Sequence, residues 1–158
     1  MRFHHTNTYP GSLEQVHAML VDPAFREEVC ASIHSVECLV EVVETASGVA
    51  VEVRQTQVVR KIPPMAAKLI GENVEIVQRE QWSGHHEGAF EMVIPGKPGQ
   101  LRGTVGLREQ GETCVQTFEG ELRVNVPLMG GKLEGLVSDL LRKALSAEET
   151  VGLSCLAR

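Results

Sequence analysis

Aromatic side chains, basic runs and long apolar stretches are all scarce in this chain. Aromatics make up 4% of the residues, too few for the stacking platforms on which nucleic-acid bases are laid. Fifteen Lys and Arg against twenty-one Asp and Glu leave a net charge of −6. With no basic cluster along the sequence, nucleic acid is not an expected partner, and neither is an anionic lipid surface. No apolar run approaches the roughly 18 residues of a membrane span, so no integral membrane segment is expected. The opening Met1-Arg2-Phe3-His4-His5-Thr6 turns polar at once and lacks a signal-peptide core. The expected location is therefore the cytoplasm. Cys30, Cys38, Cys114 and Cys155 form no C-x-x-C pair, and no nearby histidine completes a zinc pattern. They read as free packing thiols in a reducing compartment. G-x-S-x-G, P-loop, dinucleotide-fingerprint and H-E-x-x-H motifs are missing. Neither a cofactor nor a metal is expected.

What the chain does have is patterning. Its 158 residues, 42% apolar and 23% charged, suit one globular domain over 1–158. The longest amphipathic stretch is Met129 to Leu145. Its apolar positions Met129, Leu133, Leu136, Val137, Leu140, Leu141, Ala144 and Leu145 recur at helical spacing, with Lys132, Asp139, Arg142 and Lys143 opposite. Such a helix needs a surface to cover its stripe. Near the N-terminus, Phe3–Tyr9 reads as a strand and Pro10-Gly11 as a turn. Ser12 with Gln15 forms a capping box, opening a helix that turns Leu13, Val16 and Leu20 inward. Asp22-Pro23 caps a second short helix with Phe25, Val29 and Ile33 on its inner stripe.

From Val36 the period changes from helical to two, which is strand patterning. Strands are predicted at Val36–Val43, Val49–Val59, Val74–Trp82, His86–Ile94, Leu101–Leu107 and Cys114–Val126. Turns fall at Ser47-Gly48, Pro95–Gly99 and Gly111-Glu112, and Met65–Ile70 is a short helical or irregular crossing. Gly103 and Gly120, on inner faces, would let the sheet bend. The order is strand, two helices, six strands, one long helix. The fold class is α+β: a seven-stranded, curved antiparallel sheet around the C-terminal helix, with two short helices between the first and second strands.

Two segments carry a family resemblance: "YPGSLEQVHAMLVDPAFREE" at 9–28 and "NVPLMGGKLEGLVSDLLRKAL" at 125–145. With the element order, the chain resembles the START-like, pollen-allergen-like helix-grip (SRPBCC) superfamily, in an uncharacterised bacterial branch. The resemblance implies a cavity between sheet and helix, and members that bind lipids, sterols, polyketides or other apolar molecules. It carries over no catalytic residues.

Taking the apolar face of each strand as inward, the candidate ligand lining is Trp82, Phe90, Met92, Phe118, Leu122, Met129, Leu133, Leu136, Val137 and Leu140. Polar residues on those faces are few: Gln55, Gln57, Gln78, Glu80, His86 and Gln116. An apolar pocket with a few polar groups is the usual makeup of a small-molecule site. The bland alternative is that the lining residues fill the space themselves. Glu80 and His86 are the candidate acid–base pair, if both side chains converge inside. If the helix continues, Glu148 shares a face with Leu133 and Leu140; it either marks the mouth of the cavity or, the favoured expectation, lies where the helix has passed beyond the sheet. The expected function is non-catalytic binding of a hydrophobic or amphipathic small molecule. The alternatives are a cyclase, dehydratase or hydrolase working through Glu80 and His86, and an interaction module such as a homodimer paired through a strand edge.

Overall fold

Among the described residues, the period-two segments form seven strands and the longer helical segments three helices. They are seen in a computed structural model that describes residues 1–58, 63, 64, 67, 68, 71–126 and 130–158. In chain order they are β1 (Arg2–Pro10), α1 (Leu13–Leu20), α2 (Pro23–Ser32), β2 (Glu37–Glu44), β3 (Val49–Val58), β4 (Asn73–Ser83), β5 (Glu87–Val93), β6 (Gln100–Gln110), β7 (Thr113–Arg123) and α3 (Gly130–Leu156). The strands make one sheet in the order β1-β7-β6-β5-β4-β3-β2, every neighbouring pair antiparallel. It is the helix-grip architecture expected from the sequence.

Local chemistry sets the boundaries. Ser12 accepts from the Gln15 backbone N–H, and Gln15 Oε1 accepts from Ser12 N–H at 2.9 Å, so the capping box forms. Asp22 caps α2 through the Ala24 N–H at 3.0 Å, with Pro23 in the first turn. β7 stops at Arg123, short of the expected Val126, because Gln100↔Arg123 is its last pairing and β1 has already ended at Arg2↔Glu121. His86 falls in the turn between β4 and β5, not in a strand, after Gly84 turns the chain with φ +65°. Of the expected crossing at Met65–Ile70, only Ala67 and Lys68 are described, and both are helical. Val59, Pro127 and Met129 also lie outside the described residues.

The bend of the sheet has a steric basis. Gly103 and Gly120 face one another across β6 and β7. A Cβ on Gly103 would stand 1.8 Å from the Glu119 carbonyl oxygen, and one on Gly120 would stand 2.3 Å from that of Arg102. No side chain fits, so the two strands approach and curl there.

The helix α3 crosses this curl. Leu133, Val137, Leu141, Ala144 and Leu145 are buried against the inner face, each larger side chain contributing about 1.5–3 kcal/mol by leaving water. Its side chains also bond the outer margin of β1 at two points. Glu149 accepts from the Thr8 N–H at 2.7 Å, and Arg142 donates to the His4 carbonyl while lying over the Phe3 ring at 4.4 Å. At the opposite edge, β2 contains no buried residue.

Candidate functional site

The inner surface divides along the length of α3. Under the first half of the helix it is apolar. Phe90, Met92, Ile94, Leu101, Phe118 and Leu122 are buried on β5, β6 and β7 and in the residue after β5. Alternation along each strand puts them on one face, and the Phe90 and Phe118 rings meet at 4.8 Å between centroids. Leu133 and Val137 close on this wall from the helix. Leu136 and Leu140, on the flank of the same stripe, pack against the core yet stay only half-buried.

Under the second half lies a buried ionic cluster. Arg26, from α2, is 2% exposed. Its Nε donates to the Leu20 carbonyl at 2.7 Å. One terminal nitrogen donates to Glu148 Oε1 at 2.6 Å and the other to Glu80 Oε1 at 3.0 Å. Gln78 Nε2 donates to Glu80 Oε2 at 2.7 Å and to Glu148 Oε1 at 2.9 Å, and Trp82 Nε1 donates to Glu80 Oε1 at 3.0 Å. Two carboxylates share one guanidinium. Burial pushes the Glu148 carboxyl up to about 7; Arg26 opposes the rise, and Glu80 adds to it. Burial also works against the Arg26 charge, but the two carboxylates overcome it and raise its pKa.

A neutral network continues from this cluster toward β1. Asn7 Nδ2 donates to the Leu145 carbonyl at 2.9 Å and to Gln116 Oε1 at 3.2 Å, and Tyr9 OH donates to Gln116 Oε1 at 3.3 Å. The Tyr9 ring lies so close to the helix that a Cβ on Gly152 would meet it at 2.4 Å. Burial, then the nearby Glu148 charge, pushes the Tyr9 phenol up. Among the described residues, Glu148 Oε2, Gln116 Nε2 and His17 Nε2 are buried without a hydrogen-bond partner. His17 also meets the Trp82 ring edge-on at 5.2 Å and stacks on His85 at 4.3 Å.

Of the expected lining residues, Trp82, Phe90, Met92, Phe118, Leu122, Leu133 and Val137 are buried, Leu136 and Leu140 are half-buried, and Met129 lies outside the described residues. Gln55, Gln57, Gln78, Glu80 and Gln116 face inward and are buried; His86 does not. Glu80 and His86 are not brought together. Glu80 is held by Arg26, Gln78 and Trp82, while His86 is exposed in the β4–β5 turn, where its carbonyl accepts from Leu107 N–H at 2.7 Å. The expectation for Glu148 is also corrected: α3 continues to Leu156, and Glu148 is 2% exposed, because Arg26 supplies the opposite charge that lets a carboxylate stay inside. Arg26 itself was missed. The available signal was its spacing, since Arg26, Val29, Cys30 and Ile33 follow the i, i+3, i+4, i+7 rule of a buried stripe.

Comparison with known proteins places this geometry. The family "Protein of unknown function (DUF2505)" matches over residues 4–156. The uncharacterized protein Rv0481c of Mycobacterium tuberculosis is 25% identical over 153 residues, covering 89% of this chain and 88% of the relative. A START superfamily protein from Mycobacterium smegmatis superposes with a TM-score of 0.62 at 11% identity, over 98% of each chain. Norcoclaurine synthase from Thalictrum flavum, solved with dopamine and hydroxybenzaldehyde, superposes with a TM-score of 0.61 at 16% identity, over 98% of this chain and 87% of that one. At these identities the likeness to solved structures is one of fold.

Proposed function

The chain belongs to the DUF2505 family and carries the START-like helix-grip fold, and from that premise we propose that it binds a small apolar or amphipathic molecule without transforming it. The molecule is lipid-, sterol- or polyketide-like and lies between the sheet and the first half of α3, with Phe90, Met92, Phe118, Leu122, Leu133, Leu136, Val137 and Leu140 as candidate lining; Trp82, also expected there, sits in the ionic cluster beside Glu80. The observation that carries this reading is the state of Leu136 and Leu140. Both belong to the sheet-facing stripe of α3, and both keep apolar surface uncovered. The interior carboxylates support the non-catalytic part, because both oxygens of Glu80 and one of Glu148 are engaged by Arg26, Gln78 and Trp82 inside a buried cluster.

Native mass spectrometry of freshly purified protein, joined to thermal melting against a fatty acid, a sterol and a flat polycyclic phenol, tests the proposal. A co-purified small molecule is expected, with a rise in Tm from at least one probe; ligand at a hundredfold excess over Kd adds about 2.7 kcal/mol. Leu136→Glu and Leu140→Glu abolish the rise while the unliganded protein still melts cooperatively. Absence of any co-purified molecule together with no shift from any probe rejects it.

A further inference from the structure

The two edges of the sheet are treated differently. At β1 the outward-facing His4 carbonyl accepts from Arg142 and the outward-facing Thr8 N–H donates to Glu149. At β2 the ladder register shows which groups remain. Thr45 N–H donates to the Gly48 carbonyl, a directly opposed pair in the register that continues through Val43↔Ala50, Glu41↔Glu52 and Leu39↔Arg54. Hydrogen-bonded pairs alternate along an antiparallel ladder. The odd residues therefore bond β3, and the N–H and C=O groups of Cys38, Val40 and Val42 point away from the sheet. The Thr56 carbonyl, which accepts from the Val36 N–H at the far end, faces β2 as this alternation requires. Among the described residues, nothing bonds those six backbone groups.

Side chains make this edge adhesive. Leu39 is 70% exposed and Val43 49%. They share the outer face of the sheet with Glu37 and Glu41, since their partners Ala50, Glu52, Arg54 and Thr56 alternate with the inward Val51, Val53 and Gln55. The same face carries a hollow of about 580 Å³, lined in part by Glu41, Val43, Ala50, Glu52, Arg79 and Gln81. Arg79 is already engaged by Glu52 at 2.8 Å, and Arg54 by Glu52 at 2.9 Å. β2 itself holds Glu37, Glu41 and Glu44 and no cation, and among the described residues none of the three has an ion-pair partner.

We propose that β2 is a docking edge for an extended segment of a partner protein, one whose every second residue is in turn a Lys or Arg and an aliphatic, and which adds to the sheet as an eighth strand. Its backbone pairs with Cys38, Val40 and Val42. On the outer face its aliphatic side chains lie beside Leu39 and Val43, and its basic ones answer Glu37 and Glu41. A second copy of this chain fits the edge less well. Pairing β2 with β2 gathers three glutamates from each copy on one ribbon with no cation between them, and like charges across a strand pair oppose association. The surface lies on the far side of the sheet from the interior pocket, so its occupant is independent of the small-molecule reading.

Fluorescence anisotropy with a labelled nine-residue peptide that carries lysine and valine in turn at every second position, with threonine between them, tests this edge. The control peptide has glutamate in place of lysine. The intact protein is expected to bind the lysine peptide at least tenfold more tightly than the glutamate peptide, with affinity falling in salt. Val40→Pro removes an outward N–H without touching the β2–β3 ladder and weakens binding tenfold or more. Glu41→Lys shifts preference toward the glutamate peptide, and it carries the test if circular dichroism shows the proline variant unfolded. Equal affinity for the two peptides, no binding of either, or full affinity in the folded Val40→Pro protein overturns the proposal. So does light scattering that finds a wild-type dimer which Val40→Pro splits into monomers, since the edge then belongs to a second copy.

Discussion

The two halves of α3 rest on the same sheet but are held by different physics. The second half is fastened by directional bonds: Asn7 to the Leu145 carbonyl, Arg26 to Glu148, Thr8 to Glu149, and both terminal nitrogens of Arg158 to Glu28 at 2.9 Å. The first half buries Leu133, Val137 and Leu141 against an apolar wall, with Leu136 and Leu140 incompletely covered, and its directional bonds, Glu134 to the N-terminal ammonium at 2.8 Å and Arg142 to the His4 carbonyl, lie at the exposed surface. Directional contacts fix one position and angle. Apolar contacts tolerate a guest that offers similar surface. The helix is therefore anchored at one end and adaptable at the other, and the adaptable end is where we seat the ligand.

The sharpest way to break this contrast is at the anchor. Arg26→Leu leaves Glu80 and Glu148 buried without their cation, and removing one partner of a buried pair costs about 3–5 kcal/mol. Urea denaturation near neutral pH is expected to show a loss of this size. A change below about 1 kcal/mol would mean that the cluster does not anchor the helix. At the other end, Leu133→Ala removes a fully buried side chain from the apolar half. The expected loss is about 2–3 kcal/mol, toward the lower part of the range for leucine truncation because the half-covered flank beside it lets the site relax.

The pH dependence separates the halves further. The Glu148 carboxyl titrates at about 7 in the folded protein, against an ordinary 4.5. Between those values the folded chain keeps a proton that the unfolded chain has released, so its contribution to stability falls as pH rises through that window. About 1–3 kcal/mol is expected to be lost between roughly pH 5 and pH 7.5. Glu148→Gln should flatten the slope, whereas Leu133→Ala should leave it intact. A Tm profile measured across that range in the three proteins decides the point. The smallest effect is expected from Leu136→Ala, below about 1 kcal/mol in the unliganded protein because the side chain is only half-buried. The same variant should reduce the ligand-induced rise in Tm; an undiminished rise would move the pocket away from this flank.

The sequence disclosed the architecture because backbone periodicity is local. Alternation through Val49–Val53 and Leu101–Leu107, the Ser12–Gln15 box and the Asp22-Pro23 cap each follow from a few neighbouring residues, and their elements formed as expected. The interior polar cluster was only half legible. Glu80 and Gln78 could be placed inside by strand parity, since every second residue of β4 points the same way. Their partner was not, because Arg26 and Glu148 lie 122 positions apart and each alone looks like a surface charge. Parity also placed His86 wrongly: it presumes a continuing strand, and Gly84 had already turned the chain.

The two bonds that Arg142 and Glu149 make along β1 bear on what this molecule can build. A chain with two available borders can be joined at both and so propagate into filaments. Here two side chains of the protein's own helix stand across one border, which hinders a strand there more than at β2, so an adhesive, glutamate-rich margin can be displayed with growth favoured on one side.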